Sequence, residues 1–231
     1  MIGNKKVVVI IPAFNEEESL PFVIKDIPTF VDEIIVTDNG STDNTFEVAK
    51  RCGVTVLKES EKGYGAACLK AIDYIKDKSY DIVVFLDGDY SDYPEEMNLV
   101  VEPIINNNYD LVIGSRMIGK REKGSMLPQA LFGNWLSALL IKLFWNYKFT
   151  DLGPFRTIKY SSLLKLNMQD RNFGWTVEMQ IKAAKLKMKT TEVPVRYRKR
   201  IGKSKVTGTI SGTVKASVKI LYLIFASVVK D

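Results

Sequence analysis

Residues 81–94 read DIVVFLDGDYSDYP. Four apolar residues, Val83 to Leu86, run straight into Asp87, Gly88 and Asp89, with Asp92 close behind. A continuous apolar run bounded by Gly and Asp predicts a strand buried on both faces. Carboxylates crowded at the end of such a strand repel one another, so a positive partner is expected there. In an extended chain side chains alternate, which would aim Asp87 and Asp89 the same way. Gly88 between them permits a close backbone approach. Two such carboxylates can share a hard divalent cation, Mg²⁺ or Mn²⁺, which prefers oxygen ligands and keeps room for water and phosphates. The competing reading is a pair of solvated turn residues.

Outward from this stretch the same pattern repeats. VVVIIPAF (7–14), EIIVTD (33–38), VTVLKE (54–59) and DLVIGS (110–115) also read as strands. Helical stretches are expected at 16–27, 42–52, 63–77 and 94–106, with Ser41 or Thr42 capping the second and Pro94 opening the fourth. Strands alternating with helices imply βαβ units and a mainly parallel sheet. Beyond residue 115 a basic stretch, RMIGKREKGS, precedes an apolar segment at 131–149. A strand near 155–159, a helix near 175–187 and a strand near 190–198 follow, before a last apolar segment, ILYLIFASVV (220–229). Ligands of open α/β sheets bind beyond the carboxyl ends of the strands. Those ends carry Asn15 and Glu16, Asp38 and Asn39, Asp87 and Asp89, and Arg116. GYGAACLKAI (63–72) adds a glycine turn at a helix start, where Gly65 would let backbone approach a phosphate.

Composition narrows the chemistry. The 231 residues are 46% hydrophobic and 26% charged, enough for one domain with a real core, and the net charge is +6. A basic balance suits phosphates, nucleic acid or an anionic membrane surface. There is no histidine, which excludes Ser-His-Asp triads and imidazole bases. Cys52 and Cys68 show neither metal spacing nor a disulfide framework, and read as reduced thiols of a cytosolic protein. The first apolar run is too short for a signal peptide.

Taken in order, PAFNEEESL, TDNGSTDNT, GYGAACLKAI, DGDYSDYPEEM, VIGSRM, TDLGPFR, FGWTVEMQIKA and VPVRYRKRIGKSK resemble a family 2 glycosyltransferase of GT-A fold. The nearest subgroup is similar to dolichyl- or polyprenyl-phosphate mannosyl- and glucosyltransferases, over roughly residues 6–210. The resemblance implies an α/β, Rossmann-like three-layer sandwich with a mainly parallel sheet over 1–208. A C-terminal amphipathic helix over 209–231 is expected to associate with membrane. It implies that Pro12, Phe14, Asn15, Glu16, Asp38 and Asn39 border the nucleoside, Asn39 standing where an Asp is commoner. Asp87, Gly88 and Asp89 would hold the metal under the donor diphosphate. Ser91 stands where relatives often have Gln. Arg156 and Glu178 fall on positions near the reaction centre, and Arg200 and Lys205 on cations that close over phosphates. Ala130 and Leu131 occupy a place where relatives often have Arg.

The implied reaction is inverting transfer of a hexose from a UDP- or GDP-linked sugar to a lipid phosphate. A hydroxyl acceptor would need a base, with Glu178 or Asp151 the candidates; a phosphate acceptor would not. Residues 196–205 carry six basic side chains (Arg196, Arg198, Lys199, Arg200, Lys203, Lys205) and no acid. No aromatic-stacking or helix-turn-helix pattern points to nucleic acid, so anionic headgroups and phosphates are the expected partners. The segment 220–229 is too short to span a bilayer, and Lys215 and Lys219 interrupt its extension. Segment 131–149, with Trp135, Lys142, Trp145 and Tyr147, suits an interfacial helix. These features would place the protein at the cytoplasmic face of a membrane. The alternatives are transfer to a sugar hydroxyl, and a non-catalytic nucleotide-sugar or membrane-binding module.

Overall fold

A computed structural model describes residues 1–202 and 210–229. Lys203, Ser204 and Lys205 lie outside the described residues.

Strands β1 (Val7–Ala13), β2 (Glu33–Asp38), β3 (Thr55–Lys58), β4 (Ile82–Phe85), β5 (Leu111–Ser115), β6 (Arg156–Lys159) and β7 (Thr190–Pro194) form one sheet, ordered β3-β2-β1-β4-β6-β5-β7. All pairings are parallel except those of β6, which runs antiparallel to β4 and β5. The expected α/β sandwich is therefore present, with one reversed strand. β1 shows why its sequence is apolar throughout. Val8 and Ile10 enter the core on one face, and Val7, Val9 and Ile11 the core on the other. Each face is covered by helices, so alternation buries every side chain. At roughly 1.5–3 kcal/mol for each fully buried aliphatic side chain, this central strand is a principal source of cohesion.

The helices are α1 (Leu20–Asp26), α2 (Thr45–Arg51), α3 (Tyr64–Ile75), α4 (Met97–Asn107), α5 (Pro128–Trp145), α6 (Tyr160–Leu166), α7 (Trp175–Lys185) and α8 (Ile210–Val229). Pro94–Glu96 forms a 3₁₀ turn ahead of α4. Three expectations need correction. The second helix starts at Thr45 without a side-chain cap. Ser41 Oγ instead accepts from Asn15 N at 2.9 Å, and Thr42 N donates to Asn15 Oδ1 at 2.8 Å. Tight polar loops outcompete helix extension where side chains satisfy the backbone. Second, β4 ends at Phe85, and Gly88–Asp89 lies in a turn, so strand alternation does not reach Asp89. Third, the last helix spans 20 residues, and Gly212–Val229 is long and apolar enough to cross a membrane by length and composition.

That helix packs on the domain. Ala216 and Ile224 are buried, and Lys219 Nζ lies 2.8 Å from the buried Asp170 Oδ2. Val214, Val218, Tyr222, Phe225 and Val229 face outward. On neighbouring α5, Phe132, Trp135, Leu139, Leu143 and Phe144 are also exposed. The rings of Phe144 and Phe225 lie 5.9 Å apart, joining the two apolar faces.

Candidate active site

Chain order after β3 reverses across β1, placing β4 on the side of β1 opposite β2. Such a switch point opens a crevice at the strand ends. Pro12 at the end of β1 and Asp87 just past β4 flank it. A cavity of about 330 Å³ lies there, lined by Pro12, Phe14, Glu16, Asn39, Asp87, Gly88, Asp89 and Arg200, among others. A second cavity, about 640 Å³, continues from it between α5, α7 and α8. Tyr64, Asp87, Asn172, Phe173 and Arg200 line both.

The walls of the smaller cavity are stitched by side chain to backbone bonds. Glu16 N donates to Thr45 Oγ1 at 2.7 Å, and Ser19 Oγ donates to Glu16 Oε2 at 2.8 Å. Asn15 takes a left-handed backbone, φ 55°, which Asn tolerates better than most residues. Asn39 holds the next loop: its Nδ2 donates to the Glu61 and Glu59 carbonyls at 2.7 and 3.3 Å, while its Oδ1 accepts from Gly63 N at 2.7 Å. A carboxylate could make only the last of these. Lys62, above the Phe14 ring at 5.9 Å, is carried on that loop.

Asp87 and Asp89 have different surroundings. Asp89 accepts from Ser91 N and Ser91 Oγ at 2.9 and 2.5 Å and pairs with Arg200 Nη1 at 2.7 Å. Asp87 Oδ1 is buried with no hydrogen-bond partner among the described residues. Burial, then the neighbouring Asp89 charge, pushes the Asp87 carboxyl up to about 7. Burial works against the Arg200 charge, but Asp89, Tyr197 and Asp87 together outweigh it and hold the guanidinium above its ordinary value. An orphaned carboxylate oxygen in an electronegative crevice fits a divalent cation. Among the described residues no three Asp, Glu, Cys or His side chains cluster to share an ion. A cation held by Asp87 and Asp89 would take its other ligands from water and diphosphate.

Other expected residues lie outside the cavity linings. Asn15 and Asp38 support the loops, Asp38 Oδ1 accepting from Ser41 N at 3.2 Å. Gly65 is explained by packing: a Cβ there would meet the Asp170 carbonyl oxygen at 1.9 Å. Arg156 is fully buried, donating to the Gly153 and Thr176 carbonyls, and burial drops its guanidinium to about 10. Glu178 accepts from Gln169 N and Asp170 N at 2.9 and 2.7 Å and pairs with Lys182 at 2.7 Å, which fixes the loop before α7. Arg116, by contrast, lines the larger cavity and is gripped by Asp151 through Nε at 2.8 Å, Nη2 at 2.7 Å and its own backbone N at 2.7 Å. Burial opposes both charges, but each partner outweighs it, so Asp151 falls below the usual carboxylate range and Arg116 rises. Sequence reasoning missed Tyr64, Trp175 and Phe173. Both aromatic helix starts follow a glycine, the one signal that marked them.

The family model for glycosyl transferase family 2 matches residues 8–165. The chain is a family 2 glycosyltransferase. This glycosyltransferase is 34% identical over 218 residues to an uncharacterized glycosyltransferase of Mycobacterium tuberculosis, covering 93% of this chain and 96% of that one. It is 30% identical over 217 residues to a dolichyl-phosphate hexose transferase of Haloferax volcanii, and 28% identical over 226 residues to an undecaprenyl-phosphate mannosyltransferase of Micrococcus luteus. Each of these two matches covers 92% of both chains. Its fold matches that of glucosyl-3-phosphoglycerate synthase from Mycobacterium tuberculosis, solved with Mn²⁺, UDP and phosphoglyceric acid. The TM-score is 0.77 at 20% identity, covering 97% of this chain and 79% of the other.

Proposed function

We propose that this glycosyltransferase moves a hexose from a UDP- or GDP-linked sugar to a polyprenyl or dolichyl phosphate at the cytoplasmic face of a membrane. The observation that carries the reading is the meeting of two cavities at Asp87 and Arg200, the larger one opening between α5 and α8. Those helices carry the adjoining exposed apolar faces. A lipid tail lying along them would bring its phosphate into the larger cavity. Exposed Lys120, Arg121, Lys123, Lys142 and Lys215 suit an anionic headgroup layer around that apolar surface. The names of the relatives from Haloferax and Micrococcus support a lipid phosphate acceptor.

In this reaction the bond from the anomeric carbon to the nucleotide diphosphate breaks, and one from that carbon to an acceptor phosphate oxygen forms on the opposite face. The nucleoside diphosphate leaves with the electron pair. The acceptor oxygen is already ionised, so no side chain need remove a proton. Asp87 and Asp89 would hold Mg²⁺ or Mn²⁺, which when bound supplies Lewis-acid stabilisation of the diphosphate. Arg200, fixed by Asp89, adds a preorganised positive charge to the leaving group. Lys205 follows on the same segment and is assigned the same task. Glu178 and Arg156 are positioning residues: both act on the polar loops under α7 and β6.

The test is incubation with Mn²⁺, a panel of nucleotide sugars and farnesyl phosphate, with mass detection of a farnesyl-phosphate hexose. Product from one donor sustains the reading. Hydrolysis alone, or transfer only to sugar hydroxyls, overturns it.

A further inference from the structure

Two helix starts converge on the junction between the cavities. α3 begins at Tyr64 and α7 at Trp175, each after a glycine and each without a side-chain cap. The loop 169–174 ties them together. Ala66 N donates to the Arg171 carbonyl at 2.9 Å, and Asp170 Oδ1 accepts from Asn172 N and Gly174 N at 2.8 and 2.9 Å. The approach is close because both turn residues of α3 lack a side chain. A Cβ on Gly63 would meet the Arg171 carbonyl oxygen at 2.0 Å. Helix N-termini carry partial positive charge, and two of them share this junction.

The side chains at these starts are hydrogen-bond donors left without acceptors. Trp175 is only 1% exposed, and its indole Nε1–H has no partner among the described residues. Tyr64 Oη is buried and likewise unpartnered. The Asp87 carboxylate stands near this phenol. Trp175 lines the larger cavity and Tyr64 lines both. Buried donors of this kind are satisfied in nearly all folded proteins, so two at one junction point to a missing acceptor. Arg200 borders the same space, so an anion there meets a cation as well.

Resting on the lipid-phosphate reading above, we infer that Tyr64 Oη and Trp175 Nε1 form a donor pair that grips the phosphate of the acceptor. In this chain Ala130 and Leu131 line or adjoin the larger cavity and offer it no cation. The pair adds neutral, directional donors to the cations Arg116, Lys199 and Arg200 that line that cavity. Their rings pack in the core, Trp175 edge-on to Phe85 at 5.8 Å, so the donors are held rigid before the ligand arrives.

The experiment is calorimetric titration of farnesyl phosphate, with farnesol as control, into the full chain holding Mn²⁺ and UDP. Tyr64→Phe and Trp175→Phe each delete one donor and keep a ring. Each should weaken farnesyl phosphate binding about tenfold or more, as for a bond to a charged group. Farnesol affinity should stay within about twofold in both variants, and UDP affinity in Trp175→Phe, because farnesol carries no phosphate and Trp175 lines only the larger cavity. Unchanged farnesyl phosphate affinity in both variants overturns the inference, as does, in Trp175→Phe, a loss of UDP affinity in place of it. If wild-type protein binds UDP but not farnesyl phosphate, the lipid-phosphate reading itself falls, and the inference with it. Should Trp175→Phe fail to fold, Tyr64→Phe decides alone.

Discussion

Asn39→Asp isolates a consequence of one atom. The substitution places a carboxylate where this chain has an amide. Here the amide Nδ2 donates to two loop carbonyls, Glu61 and Glu59, and Oδ1 accepts from Gly63 N. The substituted carboxylate would retain the bond from Gly63 and lose both donors. It would also set a charged oxygen against two carbonyl oxygens. A net neutral bond contributes roughly 0.5–1.5 kcal/mol, and a desolvated acceptor left unmade costs roughly 1–3 kcal/mol. Glu61 is exposed, so its carbonyl can regain water. The total is therefore about 2 kcal/mol, or about 4–8 °C in Tm for a chain of this size.

The loss has a pH signature. A carboxyl facing carbonyls has a native pKa above its unfolded value of about 3.9. The penalty is full above the native pKa and fades as pH falls through it, because the protonated carboxyl regains a donor. Thermal unfolding at about pH 7.5 and about pH 4.5, on either side of the expected titration, reads this directly. Asn39→Ala, which removes all three bonds without adding charge, should lose similar stability at both pH values. UDP binding should weaken in both variants, because Lys62 and Gly63 on this loop line the smaller cavity. A Tm for Asn39→Asp within about 1 °C of wild type at neutral pH, or an equal drop at both pH values, would refute the latch.

Three further outcomes follow from the site. Asp89→Asn should lower transfer about 100-fold or more, in line with removal of one preorganised electrostatic group, with Tm little changed. Asn is the right replacement because Ala would strand Arg200 beside a vacancy; near-normal turnover would end the metal assignment. Asp87, with its carboxyl raised to about 7, must lose a proton to hold a cation, so Mn²⁺ affinity should fall as pH drops from about 8 to about 6. Titration with Mn²⁺ across that range checks it, and a flat profile counts against Asp87 as ligand. Glu178→Gln should cost about 1–2 kcal/mol through the weakened bonds to Gln169 N and Asp170 N, with turnover reduced only a few-fold. Complete loss of turnover in a folded variant would make Glu178 a base.

Much of the fold was legible because its cause is local. β1 and β4 are continuous apolar runs, and only a sheet covered on both faces buries such runs. Helix starts were read too early because Ser41 and Thr42 bond to Asn15, 26 and 27 positions away in sequence. No local propensity contains that exchange. The reversed β6 was equally invisible, since a four-residue strand carries no mark of direction.

The acidic end of β4 shows why partial legibility still located the site. The expectation that Asp87 and Asp89 share a face assumed an extended chain, and the chain turns instead. The turn separates their tasks. Asp89 is held by Ser91 and Arg200, whereas Asp87 keeps an oxygen without a hydrogen-bond partner among the described residues. Sequence could report that charges were crowded there, because repulsion depends only on proximity along the chain. It could not report which charge remained uncompensated. That depends on Arg200, which arrives from 111 residues later and selects Asp89. A cation-binding reading survives the geometric correction because it rests on crowded carboxyls, and burial with that crowding raises Asp87 and Asp92, the cost a bound cation would relieve.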